Sequence, residues 1–264
     1  MSTDGSYVGG FIDVHTHIDM LELDPQIVLK AAREAGVDHM ITIGTHHADH
    51  LKIVEMVEAL KPQVFGTLGI HPHEAKDYND EAEAFMRAHL NDKRIVAVGE
   101  IGLDYFYEHS DREVQRQVFR KQMQLAADFK LPVEIHSRDA EEDTIVILNE
   151  FKGRVRGLMH CFTGTQRLAD GALDVGYNIS ISGVVTFKNA DSLRATVKTV
   201  PLDRLHIETD APFLTPVPFR GKKNEPAMMI HTARVVAEIK GVSLEELARA
   251  TTENARKLFN RLSI

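Results

Sequence analysis

The sequence predicts a single-domain (β/α)8 TIM barrel, and three observations carry that expectation. Eight short apolar runs alternate with helical patterns along the 264 residues. The runs recur about every 28 residues, the length of one strand–helix unit. Each run is near-continuously apolar, as strands are in a parallel sheet covered by helices on its faces. The length agrees, since one α/β barrel commonly takes roughly 250 residues. An open doubly wound sheet would share the alternation, but it often announces a Gly-rich phosphate loop after its first strand. Here the first strand runs instead into Asp13-Val14-His15-Thr16-His17.

The elements follow in order. The first apolar run is 11–14, and Asp24-Pro25 then supplies an N-cap with Pro at the first helical position. Gly36 closes that helix, whose expected apolar face is Ile27, Ala31 and Ala35. The second run, 39–43, leads to a helix opened by His46, His47 and His50, which are expected in solvent. Its apolar face is read as Leu51, Val54, Val57 and Leu60. Runs at 64–70 and 95–98 follow, then a long helix at 112–130 with Val114, Val118, Leu125 and Phe129 on one face. Runs at 131–135, 157–159, 177–181 and 204–207 complete the eight. The stretch 212–226, with four prolines, directly follows the eighth strand and is expected to be an active-site loop. Ser243-Leu244-Glu245-Glu246 reads as a capping box for the last helix. Residues 1–10 are polar and Gly-rich and are expected to form a flexible N-terminal extension, leaving 11–264 as the barrel.

Composition narrows the function classes. Hydrophobic residues at 43% and charged residues at 27% exclude a disordered or collagenous chain. The formal net charge of −8 gives no general attraction for nucleic acid, so a phosphate ligand must be met by a local patch or by metal. One cysteine cannot form an intrachain disulfide, which suits a reducing compartment. The first ten residues lack a basic and then apolar leader. No apolar run approaches the ~20 residues that span a bilayer. The expectation is a cytoplasmic protein without a membrane partner; its oligomeric state is left open.

In a barrel the chemistry sits at the C-terminal ends of the strands. The first strand ends in His15 and His17, the third in His71 and the fourth in Glu100. The fifth ends in His136, the sixth in His160 and the eighth in Asp210. Residues two apart in a strand point to the same side, so Asp13, His15 and His17 line the inner face. A carboxylate at the depth of Glu100 is costly unless paired or metal-bound. The four imidazoles of His15, His17, His136 and His160 and the two carboxylates of Glu100 and Asp210, from five strands, suffice for two divalent ions sharing a carboxylate. Cys161, next to His160, is expected to face away from the axis as a packing residue. His39, His89, His109, His206 and His231 are placed within elements or on exposed faces, and His73 is open between packing and a substrate contact. Tyr105, Phe106 and Tyr107 are candidates for stacking on bases.

The strings FIDVHTHID, GIHPHEA, VGEIGLDYF, LPVEIHSRDA, MHCFTG, ISISGVVTFKNA, HIETDAPFL and PFRGKKNEP occur in order. They resemble the TatD family of metal-dependent deoxyribonucleases, amidohydrolase-like (β/α)8 barrels, from about Phe11 to the C-terminus. The resemblance implies hydrolysis of phosphodiester bonds in DNA, with 3′→5′ exonuclease action on single-stranded ends. It implies a centre of two divalent ions, Zn2+, Mg2+ or Mn2+, with His15, His17, Glu100, His136, His160 and Asp210 as ligands. On that basis His15, His17, Glu100 and Asp210 would hold one ion, and Glu100, His136 and His160 the other. Asp210 would also accept the proton of the attacking water. Glu208 is carried over as a catalytic residue one layer deeper, where it and Asp13 would orient ligands. His71, Arg138, Arg220, Asn224 and Glu225 are carried over as substrate-binding residues. The Arg220-Gly221-Lys222-Lys223 run is a further candidate for phosphate. The same centre would also serve an amidohydrolase or esterase acting on a small molecule or on D-aminoacyl-tRNA, or a non-catalytic metal-binding barrel. Cations at the mouth favour phosphate over a neutral ring, and a carboxylate suited to act as base argues for catalysis.

Overall fold

A computed structural model of the chain describes residues 10–262. The expected extension at 1–10 therefore lies, save for Gly10, outside the described residues. Eight parallel strands form one sheet in sequence order. They are β1 (Phe11–Thr16), β2 (Val37–Thr42), β3 (Val64–Leu68), β4 (Ile95–Asp104), β5 (Val133–Arg138), β6 (Gly157–Met159), β7 (Asn178–Ile181) and β8 (Leu205–Ile207). The helices are α1 (Pro25–Glu34), α2 (His47–Ala59), α3 (Asp80–His89), α4 (Arg112–Phe129), α5 (Glu141–Glu150), α6 (Gln166–Asp174), α7 (Asp191–Thr199), α8 (Met229–Lys240) and α9 (Leu244–Leu258). Each predicted strand is present and the barrel is nearly closed. None of the described helices is long and apolar enough to cross a membrane.

Local chemistry sets the ends of the elements. The Asp24 carboxylate accepts from the Gln26 N–H at 2.8 Å to start α1, and the Ser243 hydroxyl accepts from the Glu246 N–H at 3.1 Å to start α9. Gly241, at φ 66°, ends α8 in the left-handed conformation that glycine adopts without steric cost. Inside the barrel, Ile12, Val14, Ile41, Ile43, Phe65, Val96 and Leu158 form one buried cluster with Ala255, Leu258 and Phe259. The last helix and its end thus close the apolar interior beneath the polar mouth.

The seam between β8 and β1 is joined by residues of the candidate site. Asp210 N–H donates to the His15 carbonyl at 2.9 Å, and His17 N–H donates to the Ala211 carbonyl at 2.8 Å. The buried Asp13 carboxylate accepts from the Thr209 N–H at 2.9 Å and from its hydroxyl at 2.5 Å. Closing the barrel and placing the β1 and β8 side chains are one structural event.

Three details differ from the sequence reading. In α1 the buried face is Val28, Leu29 and Ala32, while Ile27 is 60% exposed. In α2 it is His50, Ile53 and Val57, while Leu51 faces solvent. A 3.6-residue period fits two neighbouring stripes almost equally, and the loop that delivers the helix decides between them. His50 is accordingly not solvated: it is fully buried and its Nε2 donates to the Gly69 carbonyl at 2.9 Å. Finally, β4 does not stop near Glu100 but continues to Asp104. Its register against β5 shifts between Val98 and Ile101. Gly102, at φ 138°, lets the strands approach; a Cβ there would lie 2.0 Å from the His136 carbonyl oxygen. Such a bulge re-aims a side chain, here Glu100, in mid-strand.

Candidate metal centre

Four imidazoles converge on the single carboxylate of Glu100. Its Oε1 lies 2.9 Å from His160 Nε2, 3.1 Å from His136 Nδ1 and 3.4 Å from His71 Nε2. Its Oε2 lies 3.6 Å from His15 Nε2. Asp210 Oδ1 faces His17 Nε2 at 3.4 Å and His15 Nε2 at 3.8 Å. Around these carboxylates, three sets have ligand atoms within 4.8 Å of one another: His15/Glu100/His160, His15/His17/Asp210 and His71/Glu100/His136.

A carboxylate behind each of three rings sets which nitrogen faces inward. His15 Nδ1 meets Glu134 at 2.7 Å, His160 Nδ1 meets Glu208 at 3.0 Å, and His136 Nε2 meets Asp104 at 3.0 Å. An imidazole that donates through one nitrogen can present a lone pair at the other. Nε2 of His15, Nε2 of His160 and Nδ1 of His136 are the atoms so presented. His71 is different, because its Nδ1 accepts from the His73 N–H at 3.2 Å. In the neutral ring its Nε2 therefore carries the proton, making His71 a hydrogen-bond donor in this cluster. The same holds for His46, whose Nδ1 accepts from the Ala48 N–H at the start of α2. That argues against a cation between His46, Glu74 and Asp77, which also lie close together.

The electrostatics fit divalent cations. Burial works to raise the Glu100 carboxyl, but His160, His71, His136 and His15 outweigh it and hold it well below the usual range. Asp210 is lowered in the same way: His17, His160 and His15 overcome its burial. Burial and His160 work to lower His15, yet Glu100 and Glu134 lift it to about 10. His160 is raised well above its usual value, against its burial, by Glu100 and Glu208. The cluster thus holds several carboxylates that demand positive charge. His15 Nε2 is buried and has no hydrogen-bond partner. A buried imidazole nitrogen without a partner, aimed at two carboxylates, suits a metal ion better than any side chain present.

The centre floors a cavity of about 860 Å3. His17, His71, Glu100, His136, His160 and Asp210 line its depth, and Met20, Val184, Phe213 and Leu214 form an apolar wall. Tyr107 and Arg138 also line it. The Arg138 guanidinium lies over the Phe106 ring at 4.0 Å and the Tyr107 ring at 4.8 Å, and both rings are half exposed. Arg138 is exposed and tops β5, so its charge stands at the rim.

Of the five residues carried over for substrate binding, His71 and Arg138 line this cavity, and Arg220, Asn224 and Glu225 do not. Arg220 stacks on Phe187 at 3.9 Å. Asn224 is buried and donates to the Thr209 and Phe213 carbonyls at 2.9 and 2.7 Å, pinning the loop that carries Phe213. Lys223 pairs with Glu22 at 2.5 Å. Glu208 is fully buried behind His160, and its Oε1 also accepts from the Cys161 N–H at 2.9 Å. Asp13 does not orient a ring; it accepts backbone N–H groups at the seam, and burial raises it to about 7 against the hydrogen bonds from Thr209. Cys161 lines the cavity instead of facing away, because its left-handed φ of 40° breaks the strand alternation. Tyr105 packs with its hydroxyl 2.5 Å from Asp143; of the aromatic trio Tyr107 lines the cavity, and Phe106 lies exposed beside it under Arg138.

Sequence reasoning did not single out Glu134 and Asp104. Glu134 had a readable signal: a charge inside an apolar run, two residues before His136 and hence on the same side of β5.

A nearly closed parallel barrel with histidines and carboxylates converging at its mouth defines a metal-dependent hydrolase. The chain belongs to the TatD family: the family model described as TatD related DNase matches residues 12–260. It is 40% identical over 250 residues to a metal-dependent hydrolase of Bacillus subtilis, YabD, named as uncharacterized, covering 94% of this chain and 98% of that one. It is 37% identical over 243 residues to a protein of Erwinia tasmaniensis named 3′-5′ ssDNA/RNA exonuclease TatD, covering 90% and 94%. The crystal structure of YJJV, a TatD homologue from Escherichia coli K12, superposes with a TM-score of 0.91 at 29% identity, covering 96% of this chain and 99% of that one.

Proposed function

We propose that this hydrolase removes nucleotides from the 3′ ends of single-stranded DNA in the reducing cytoplasm, using two divalent ions, Zn2+, Mg2+ or Mn2+. The observation that carries the proposal is the pairing, in one cavity, of the Glu100-centred cluster with Arg138 and Tyr107 at its rim, the exposed Phe106 ring lying under the same guanidinium. A neutral small substrate has no use for that rim, whereas a nucleotide offers it a phosphate and a flat base. The Erwinia relative's name points the same way.

His15, His17, Glu100 and Asp210 would hold one ion, and Glu100, His136 and His160 the other. Bound divalent ions would supply Lewis acidity, offsetting charge on the phosphoryl oxygens and acidifying water. Asp210, held ionised by the facing imidazoles, accepts the proton of the attacking water. His71 donates from Nε2 to a substrate oxygen. Glu208 acts through His160, holding its ring with Nε2 toward Glu100. Arg138 grips a phosphate while the rings beneath it take a base. Arg220, Asn224 and Glu225 shape the loop behind Phe213.

The test is the product pattern from end-labelled DNA with each metal supplied singly. Linear single strands should shorten stepwise from the 3′ end, faster than blunt duplex, with a shallow salt dependence because few phosphates are gripped. Circular single strands cut as fast as linear ones would overturn the need for an end. Cleavage of a small ester or amide but no DNA, with any metal, would hand the site to the amidohydrolase reading.

Two further results are expected. Protein purified without chelator and titrated with Mn2+ or Zn2+ should approach two ions per chain by elemental analysis; no binding at micromolar metal would refute the centre. Arg138→Ala removes a charge-assisted contact worth about 1.5–3 kcal/mol, so KM for DNA should rise roughly tenfold or more while kcat changes little. An unchanged KM would place the phosphate elsewhere.

A further inference from the structure

Asp104, at the end of β4, is 1% exposed and all four acceptor positions of its carboxylate are used. Oδ2 meets His136 Nε2 at 3.0 Å and His73 Nε2 at 3.0 Å. Oδ1 accepts from the backbone N–H groups of Phe106 at 3.0 Å and Tyr107 at 2.9 Å. One face therefore holds a ring of the Glu100 cluster, and the other holds the two residues under Arg138. His73 also packs edge-on against Tyr107 with ring centroids 5.4 Å apart, so the carboxylate supports the rim from below as well. The group is itself fixed. Asp104 N–H donates to Gln115 Oε1 at 2.8 Å, and Gln115 Nε2 donates back to the Asp104 carbonyl at 2.9 Å. Gln115 is fully buried on α4, an expensive place for an amide unless its hydrogen bonds are made.

We propose that Asp104 is a positioning residue that couples the inner centre to the substrate rim, fixing the inward nitrogen of His136 and the height of the Phe106–Tyr107 platform with one carboxylate. The platform's role rests on the nuclease reading above; the coupling itself does not. Asparagine cannot replace this group, because its amide has one acceptor oxygen. If that oxygen keeps the Phe106 and Tyr107 N–H groups, the NH2 faces the imidazoles, which must then present lone pairs to it. His136 would turn its proton to Nδ1 and no longer face Glu100 with a lone pair. If the oxygen keeps the imidazoles, the platform loses its two N–H acceptors.

Asp104→Asn is tested with Zn2+ alone by chelator competition, where affinity should fall about 10- to 100-fold, as for other groups that orient ligands. Imidazole 15N spectra of the same protein should show His136 changing its protonated nitrogen, a change that simple loosening of the fold would not produce. KM for a dT oligonucleotide should rise about fivefold or more, the scale of one lost stacked base, while KM for bis(p-nitrophenyl) phosphate moves less. Tyr107→Ala should raise the oligonucleotide KM without altering Zn2+ affinity, and the double variant should be no worse than Asp104→Asn alone.

Should Asp104→Asn not fold, the parent protein still decides the matter: adding Zn2+ should shift the backbone amide resonances of Phe106 and Tyr107. Zn2+ affinity and oligonucleotide KM both unchanged in the variant, additive effects in the double variant, or amides in the parent that ignore Zn2+ would each overturn the coupling. A parent that cuts no DNA would sink the nuclease reading while leaving the Zn2+, imidazole and amide measurements to judge Asp104.

Discussion

Replacing Asp210 with Asn is expected to lower turnover by about 10²- to 10⁴-fold, the range seen when general acid–base catalysis is lost. The change keeps the shape and one oxygen, and removes the charge and the proposed proton acceptor. The barrel should survive it. The Asp210 contribution to the β8–β1 seam is its backbone N–H to the His15 carbonyl, which Asn retains. The left-handed φ of 54° at this position suits Asn as well as Asp. His17 Nε2 at 3.4 Å would face an amide in place of a carboxylate, so some metal affinity should go as well. Measuring kcat at saturating metal separates the two losses. Activity within a few-fold of the parent, with metal bound, would remove Asp210 from the role of base.

The strand ends were legible because the barrel imposes two regularities that survive in the sequence. Strand–helix units repeat at a near-constant length, and polar side chains at the mouth interrupt apolar runs at fixed places. His15, His17, Glu100, His136, His160 and Asp210 stand out on that account, and the fold does bring them together. What lay hidden depends on information outside the local pattern. The buried faces of α1 and α2 are set by how each helix is delivered to the sheet, not by its own period. The continuation of β4 past Glu100 is a property of its pairing with β5.

The partners of the rings were hidden for a related reason. Glu134 lies 119 positions from His15 in sequence and Glu208 lies 48 from His160, so no short motif holds either pair. Asp104 sits inside the string VGEIGLDYF, but nothing local shows that one carboxylate reaches both His136 and the next two N–H groups. The loop at 212–226 lies beside the mouth, where Phe213 and Leu214 line the cavity. Its polar residues Arg220 and Asn224 turn to the loop itself, because a proline-rich segment supplies few N–H groups of its own and side chains must satisfy its carbonyls.

The second large effect is expected for Glu100→Gln. This carboxylate faces four imidazoles and belongs to two of the candidate ligand sets, so on the proposed two-ion assignment a single substitution touches both ions. Glutamine brings one neutral oxygen and an NH2 group whose hydrogens would point at nitrogens that must offer lone pairs. Groups that only orient ligands cost about 10- to 100-fold in metal affinity when changed, and a shared ligand should cost more. Metal content should fall toward zero, and turnover with it. A cost should remain after metal is stripped with chelator, because the raised His15 and His160 lose the anion they face. Removing one partner of a buried ion pair costs about 3–5 kcal/mol. At about 2–4 °C per kcal/mol for a domain of this size, Tm of the stripped variant should lie roughly 6–20 °C below that of the stripped parent. Elemental analysis and a pair of melting curves check both parts. A Glu100→Gln protein that binds as much metal as the parent would show that Glu100 is not a shared ligand, and the proposed centre would have to be rebuilt around Asp210 and the imidazoles alone.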